Sequence, residues 1–211
     1  APPYLERLEE CMIKSLREAK VHSSWHSPNE EYEKGVISFI RRILEPGPEN
    51  RFMAEFLPFC QKVARHGVFN TLSQTLVKIT APGVPDFYQG AELMCLNLVD
   101  PDNRRPVDYE KRAKLLRDMR EKGAEDLYKP FPEWSRLIAQ ADRLKLFVIM
   151  KGLAARKLYG NLFANGSYLP LETTGRFSRH VVAFARRFEN QWSITVIPRF
   201  LAVLTAPGKN P

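Results

Sequence analysis

The chain has 211 residues, 44% of them hydrophobic and 27% charged, with a formal net charge of +8 at pH 7. That composition supports a packed core and excludes an intrinsically disordered chain. The longest aliphatic run, Leu146 to Met150, falls far short of the ~20 apolar residues of a transmembrane helix, so neither a membrane span nor a membrane partner is expected.

The first half reads as helical. Leu5, Leu8, Met12, Leu16 and Ala19 recur at helical spacing and predict one helix that stops near Val21 to Trp25. Ser27-Pro28-Asn29-Glu30 reads as a capping box with proline at the first helical position. The helix it opens is expected to bury Tyr32, Val36, Phe39, Ile40 and Ile43, and to end before Pro46-Gly47-Pro48. A third helix uses Phe52, Phe56, Phe59, Cys60 and Val63, with Gly67 as its C-cap. A fourth carries Leu72, Leu76 and Ile79 and breaks at Pro82-Gly83.

Val84 to Tyr88 reads as a short strand that delivers a polar loop. After it, Tyr109, Leu115, Leu116 and Met119 predict a helix ending at Gly123, and helical spacing returns from Pro132 to Leu158 with a break near Asp142. From Asn165-Gly166 the texture changes to β. His180 to Ala185 and Trp192 to Ile197, joined by Glu189-Asn190-Gln191, predict a hairpin. A hairpin alone is marginal in water, so it is expected to pack on the helices or join a larger sheet. A domain boundary is placed near residues 160–167.

The net charge raises nucleic acid as a partner, but the basic residues argue against it. They fall in scattered pairs, Arg41-Arg42, Arg104-Arg105 and Arg186-Arg187, and many lie close to acids, as Lys34 does to Glu30, Glu31 and Glu33. This is the pattern of solvated helix faces, not of a stripe that tracks phosphates. Cys11, Cys60 and Cys95 are sparse, odd in number and far apart, which fits buried apolar roles in a reducing, cytoplasmic setting. Ala1-Pro2-Pro3-Tyr4 shows no signal-peptide pattern, so Asn165-Gly166-Ser167 reads as a turn and not as a glycosylation site.

Chemistry concentrates in two places. Ala81 to Glu92 and Leu98 to Asp108 are dense in turn formers, acids, amides and the Arg104-Arg105 pair, and so suit a polar ligand better than a core. Asp100, Asp102 and Asp108 are explained by turn capping, and Arg104 or Arg105 by closing a salt bridge. Asp86, Tyr88, Gln89 and Glu92, grouped directly after the presumed strand, are less easily explained that way. Upstream, Lys14 to Trp25 offers either a charged helix face with Trp25 in the core, or a platform on which Trp25 stacks a sugar while Lys and Arg donate to its hydroxyls. His22 and His26 lack a third ligand nearby, His66 reads as a surface residue and His180 as a strand residue. With no glycine-rich phosphate loop, nucleophile elbow or paired CxxC, no metal and no cofactor are expected.

The strings TAPGVPDFYQGAEL and LVDPDNRRPVDY resemble the last barrel strand and following loop of the maltooligosyl trehalose synthases, within the α-amylase superfamily of glycoside hydrolases. KSLREAKVHSSW and NEEYEKGVISFIRRIL resemble the same family upstream, and GSYLPLETTG and RHVVAFAR downstream. Two departures stand out. Met94 occupies a place where the family tends to carry an aromatic, and Ser23 one where threonine is common.

The resemblance implies an intramolecular transglycosylation, in which the reducing-end α-1,4 link of a maltooligosaccharide becomes an α,α-1,1 link. Retaining chemistry of this kind uses two carboxylates ~5 Å apart, in a site that keeps water from the glycosyl-enzyme. A complete barrel needs ~250 residues, and the middle barrel strands that carry the superfamily's catalytic acids resemble nothing here. The implied fold is therefore α+β and mostly helical, the C-terminal part of a (β/α)8 barrel followed by the start of a β-sandwich-like domain. The implied division is a helical segment of the barrel domain at 1–80, the last strand, polar loop and following helices at 81–165, and a partial β domain at 166–211.

No catalytic residue is assigned. Asp86, Tyr88, Gln89, Glu92, Asn103, Arg104, Arg105, Lys20 and Trp25 are expected to contact a maltooligosaccharide or brace the loop that does. The segment alone is expected to be inactive, with an exposed β edge open to dimerisation. Another α-glucan hydrolase or transferase of the superfamily, or a non-catalytic helical interaction module, remains an alternative.

Overall fold

A computed structural model of the chain describes residues 4–98, 100–122, 125–128 and 134–204. The chain divides into two compact units, one of residues 1–61 with 96–106, the other of residues 62–95 with 107–211.

The first unit is built on α1 (Tyr4–Ala19) and α2 (Glu30–Ile43). They run antiparallel: Arg17 near the end of α1 meets Glu33 near the start of α2, and Glu9 meets Arg41 near its end. The cap of α2 is Asn29, whose side chain accepts from Tyr32 N at 3.1 Å. The expected cap at Ser27 is corrected because Ser24 and Ser27 close a turn on each other before the helix begins. The predicted apolar face of α2 is also narrower. Ile40 is buried, but Tyr32 and Phe39 are exposed, and the other buried residue is Glu33.

Asn50 then does double duty. Its side chain accepts from Met53 N at 3.0 Å to cap α3 (Arg51–Thr80) and donates to the Ile43 and Glu45 carbonyls left over from α2. Helix α3 is one element where two were expected. Gly67 sits inside it with no neighbour close to its Cβ position, so it only loses ~1 kcal/mol of propensity and does not terminate the helix. Phe52, Phe56, Phe59 and Val63, expected in a core, are exposed, with Phe52 and Phe56 stacked on each other at 4.9 Å. Cys11 and Cys60 are half-buried and Cys95 is exposed, so none of the three is the fully buried residue that was expected, Cys95 least of all.

The second unit holds the larger apolar core. Leu93, Met119, Leu127 and Leu146 form one buried cluster, and Val68, Leu137 and Ala141 another. They join the C-terminal half of α3 to α4 (Tyr109–Lys122) and α5 (Trp134–Leu158). Gly123, expected at the end of α4, lies outside the described residues. Helix α5 runs through Asp142 without the expected break. The Asp142 carboxylate is engaged outside its own helix, accepting from Met94 N and Lys111 Nζ, and so does not compete for local backbone.

The turn of α6 (Gly160–Asn165) leads into an antiparallel meander of β1 (Ser167–Leu171), β2 (Val181–Phe188) and β3 (Gln191–Pro198). The register sets Leu169 opposite Ala185 and Phe184 opposite Thr195, with the predicted hairpin turning at Glu189-Asn190. A short α7 (Leu201–Leu204) follows. His180 ends a 3-10 turn (Ser178–His180) one residue before β2. The chain is thus mostly helical with a small sheet. Val84 to Tyr88, expected as a strand, is irregular backbone. A strand exists only through a ladder with a neighbour, and among the described residues this segment pairs with none.

Candidate functional site

Residues 81–94 carry the first group of expected site residues, and their carbonyls lack a β ladder to satisfy them. Cationic side chains substitute for it. Arg156 donates to Ile79 O at 2.6 Å and Gly83 O at 2.8 Å, and Lys78 to Asp86 O at 2.6 Å while standing 3.9 Å from the Phe87 ring centroid. Arg112 donates to Gly90 O at 2.6 Å and Lys145 to Leu93 O at 2.9 Å. Lys145 and Arg186 are buried, and burial lowers the pKa of each below its ordinary value. Arg186 caps the Phe163 and Gly166 carbonyls and reaches Thr80 O. Bonds with a charged donor are roughly twice as strong as neutral ones, which suits them to hold irregular backbone.

Within that frame Tyr88 to Ala91 is a tight turn, closed by Ala91 N on Tyr88 O at 2.9 Å with Gly90 at φ +88°. Positive φ at its third position is what glycine supplies. Asp86, Tyr88 and Gln89 are exposed, whereas Glu92 is half-buried and accepts from Arg112 Nε at 2.9 Å. So three of the four residues grouped from the sequence present their side chains to solvent, and the fourth is part of the bracing.

The other expected residues lie in the first unit. Trp25 is exposed, not tucked into a core, and the Arg17 guanidinium stands 5.1 Å from its ring centroid. Arg17 is in turn held by two bonds of 2.8 Å to the buried Glu33 carboxylate. Ser23 Oγ donates to the same carboxylate at 2.5 Å and accepts from Asn29 N. Arg17 first and Ser23 second hold the Glu33 carboxyl down to about 2. A groove of about 470 Å³ beside Trp25 is lined by Glu6, Glu9, Lys14, Arg17 and Pro101. Lys20 is exposed, with φ +54° at the end of α1. The ring of His22 packs on Tyr32 at 4.9 Å.

In the same unit Asp102 is the buried post of the DPDNRR turn. It accepts from Arg7 Nε at 3.1 Å, Arg7 Nη2 at 2.8 Å and Leu98 N at 2.7 Å, and pairs with Arg105. Arg7, then the Leu98 amide and Arg105, hold its carboxyl down to about 2. Arg104 pairs with Asp100, which also accepts from Lys14. Asn103 is exposed. Asp108 accepts from Lys111 N and so starts α4. The sequence did not single out Arg7, Arg112, Lys145 or Asn50. Their only local signal is a basic or amide residue on a helix face or cap, and their partners lie far along the chain.

Relatives bear on what such surfaces serve. No family model matches the chain. It is 34% identical over 180 residues to a putative maltooligosyl trehalose synthase of Mycobacterium tuberculosis, covering 85% of this chain and 20% of that protein. The maltooligosyltrehalose synthase of Arthrobacter ramosus superposes on 99% of the chain with a TM-score of 0.76 at 26% identity, using 25% of its own length. A hypothetical maltooligosyl trehalose synthase of Sulfolobus tokodaii gives 0.70 at 34% identity over 92% of the chain and 24% of its own. The chain spans about a fifth of the length of the curated relatives it matches. It is thus a homologue of one portion of the maltooligosyl trehalose synthases, matched in both sequence and fold.

Proposed function

We propose that this chain serves as the substrate-binding wall of a maltooligosyl trehalose synthase. Such an enzyme, an intramolecular transferase of the isomerase class, converts the reducing-end α-1,4 link of a maltooligosaccharide into an α,α-1,1 link. The catalytic acids lie in portions of the family fold that this stretch does not match. One observation carries the reading: the loop from Ala81 to Met94 spends cations on its own carbonyls while leaving Asp86, Tyr88 and Gln89 facing solvent.

In this reading Tyr88 offers a ring face to a glucose unit, and Asp86 and Gln89 bond its hydroxyls. Trp25 and Lys20 do the same in the other unit, Asn103 donates or accepts beside its turn, and Glu92, Arg104 and Arg105 brace. The wider architecture follows the family expectation. Residues 1–80 belong to the helical part of a barrel domain, 81–165 to its final strand position, loop and helices, and 166–211 to the first layer of a β domain. Cys11, Cys60 and Cys95, none of them in a disulfide, fit a cytoplasmic setting. The edges of β1 and β3, unpaired among the described residues, are where a further strand or a second copy would pair.

Product analysis on maltopentaose tests it. The intact protein that carries this chain should lower reducing ends without releasing glucose, whereas an α-glucan hydrolase would raise them. The 211-residue polypeptide alone should turn over none, and turnover by it would overturn the placement of the acids.

A further inference from the structure

Arg112, on the first turns of α4, uses every nitrogen of its guanidinium. Nε donates to Glu92 Oε2 at 2.9 Å, Nη1 to Asp108 O at 2.9 Å and Nη2 to Gly90 O at 2.6 Å. Its side chain is half-buried, as is that of Glu92. Two of the three partners flank Ala91, directly after Tyr88-Gln89, and the third is the residue that caps α4.

The held turn has little freedom left. Gly90 adopts φ +88°, and a Cβ there would lie 3.1 Å from Val107 Cγ2 and 3.5 Å from Arg112 Nη2. Downstream, Leu93 O and Met94 N are tied to Lys145 and Asp142 on α5, and Asp142 is tied to Lys111 on α4. Consecutive residues after the turn are thereby fixed to two helices that share a core with Leu93. Within the turn the Tyr88 and Gln89 side chains are the exposed ones.

We infer that Arg112 is a positioning residue for glucan binding: it orients the Gly90 peptide and so sets the direction in which Tyr88 and Gln89 meet a sugar. This rests on the sugar-binding reading of those two residues. A planar fork with divergent donors makes all three bonds at once, and a lysine at 112 reaches one of them. The role is distinct from stabilisation because it acts on the geometry of an already folded turn.

The test uses the intact protein that carries this chain, with maltopentaose as probe, and measures Kd, KM, kcat and Tm for Y88A, R112K, E92Q and the double variant. Y88A tests the underlying reading: unchanged Kd there removes it, and this inference with it. With Y88A weakened, R112K is expected to raise Kd and KM together by roughly tenfold and to leave kcat within about threefold. E92Q removes the ion pair but keeps an acceptor, so it should raise them less, and the two substitutions should not add. If R112K fails to fold, E92Q carries the test. Parental Kd and KM in every folded clamp variant, whatever the shift in Tm, would overturn the role of Arg112 while leaving that of Tyr88 standing.

Discussion

Arg7 and Asp102 are 95 residues apart in sequence and meet through two parallel bonds, Nε to Oδ1 at 3.1 Å and Nη2 to Oδ2 at 2.8 Å. The same arginine donates to Leu96 O at 2.8 Å, and the same aspartate accepts from Leu98 N. One ion pair thus ties α1 to Leu96, to Leu98 and to the first residue of the 3-10 turn that carries Asn103 and Arg104. Asp102→Ala would strand the Leu98 amide and take the carboxylate from Arg7 and Arg105, leaving them the carbonyls of Leu96 and of residue 102. The expected cost is on the order of 2 kcal/mol, since removing one partner of a buried pair strands the other. Denaturant unfolding should show a lower midpoint with little change in slope.

Acid should weaken the first unit through the same carboxylates. Asp102 and Glu33 each titrate near 2 in the folded chain, below their ordinary values of 3.8 and 4.5. A depressed folded pKa means that the unfolded state binds the proton first, so the stabilisation is complete above the ordinary values and is lost as pH falls towards about 2. Stability followed by circular dichroism should be flat in this respect from neutrality to about pH 5 and then decline. A carbon-detected titration of the two side-chain carboxyls should find both still ionised at pH 3.

Ser23 gives a sharper test of the local wiring around Trp25. Its hydroxyl is buried, donates to Glu33 and accepts from Asn29 N, so both of its hydrogen-bonding roles are used. Ser23→Ala should cost about 1–2 kcal/mol by stranding the Asn29 amide and removing one of the two donors to Glu33 Oε1, which keeps Arg17 Nε. Ser23→Thr keeps the hydroxyl and should remain close to the parent. Trp25 fluorescence reports the difference directly, because Glu33 holds Arg17 and Arg17 stands against the indole. The alanine variant should shift the emission and the threonine variant should not.

What was legible in the sequence was mainly local. The apolar period of α1, the start of α4 near Tyr109 and the hairpin about Glu189-Asn190 depend on neighbours a few residues away, and each stands where it was expected. The bracing option for Arg104 and Arg105 was also readable, since their acids lie within the same turn. The misses share one cause. Val84 to Tyr88 has strand-like residues but no ladder partner among the described residues. Phe52, Phe56 and Phe59 have core-like spacing but no described element covers them. The relatives that the chain matches are four to five times as long as it is. The cations that hold residues 79–94 were invisible for the opposite reason: each looks like a solvated helix residue until its distant carbonyl is known.

The close approach of α5 to α3 can be probed at Gly152. A Cβ there would lie 2.9 Å from Ile79 Cγ2 and 3.1 Å from its Cδ1. Ile79 is fully buried, so it has no free space to turn into. Its carbonyl is also the one that Arg156 caps, one helical turn beyond Gly152 on the same face. Gly152→Ala gains roughly 1 kcal/mol of helix propensity, but overpacking a tight contact costs about 1–3 kcal/mol. The steric term should win, because the obstructing atoms belong to a buried β-branched side chain and not to the end of a flexible one. Thermal unfolding should therefore show a lower Tm for Gly152→Ala. Adding Ile79→Val, which removes the nearer-to-tip Cδ1, should recover part of the loss. Equal or additive losses in the double variant would mean that the two helices are not in contact at this pair.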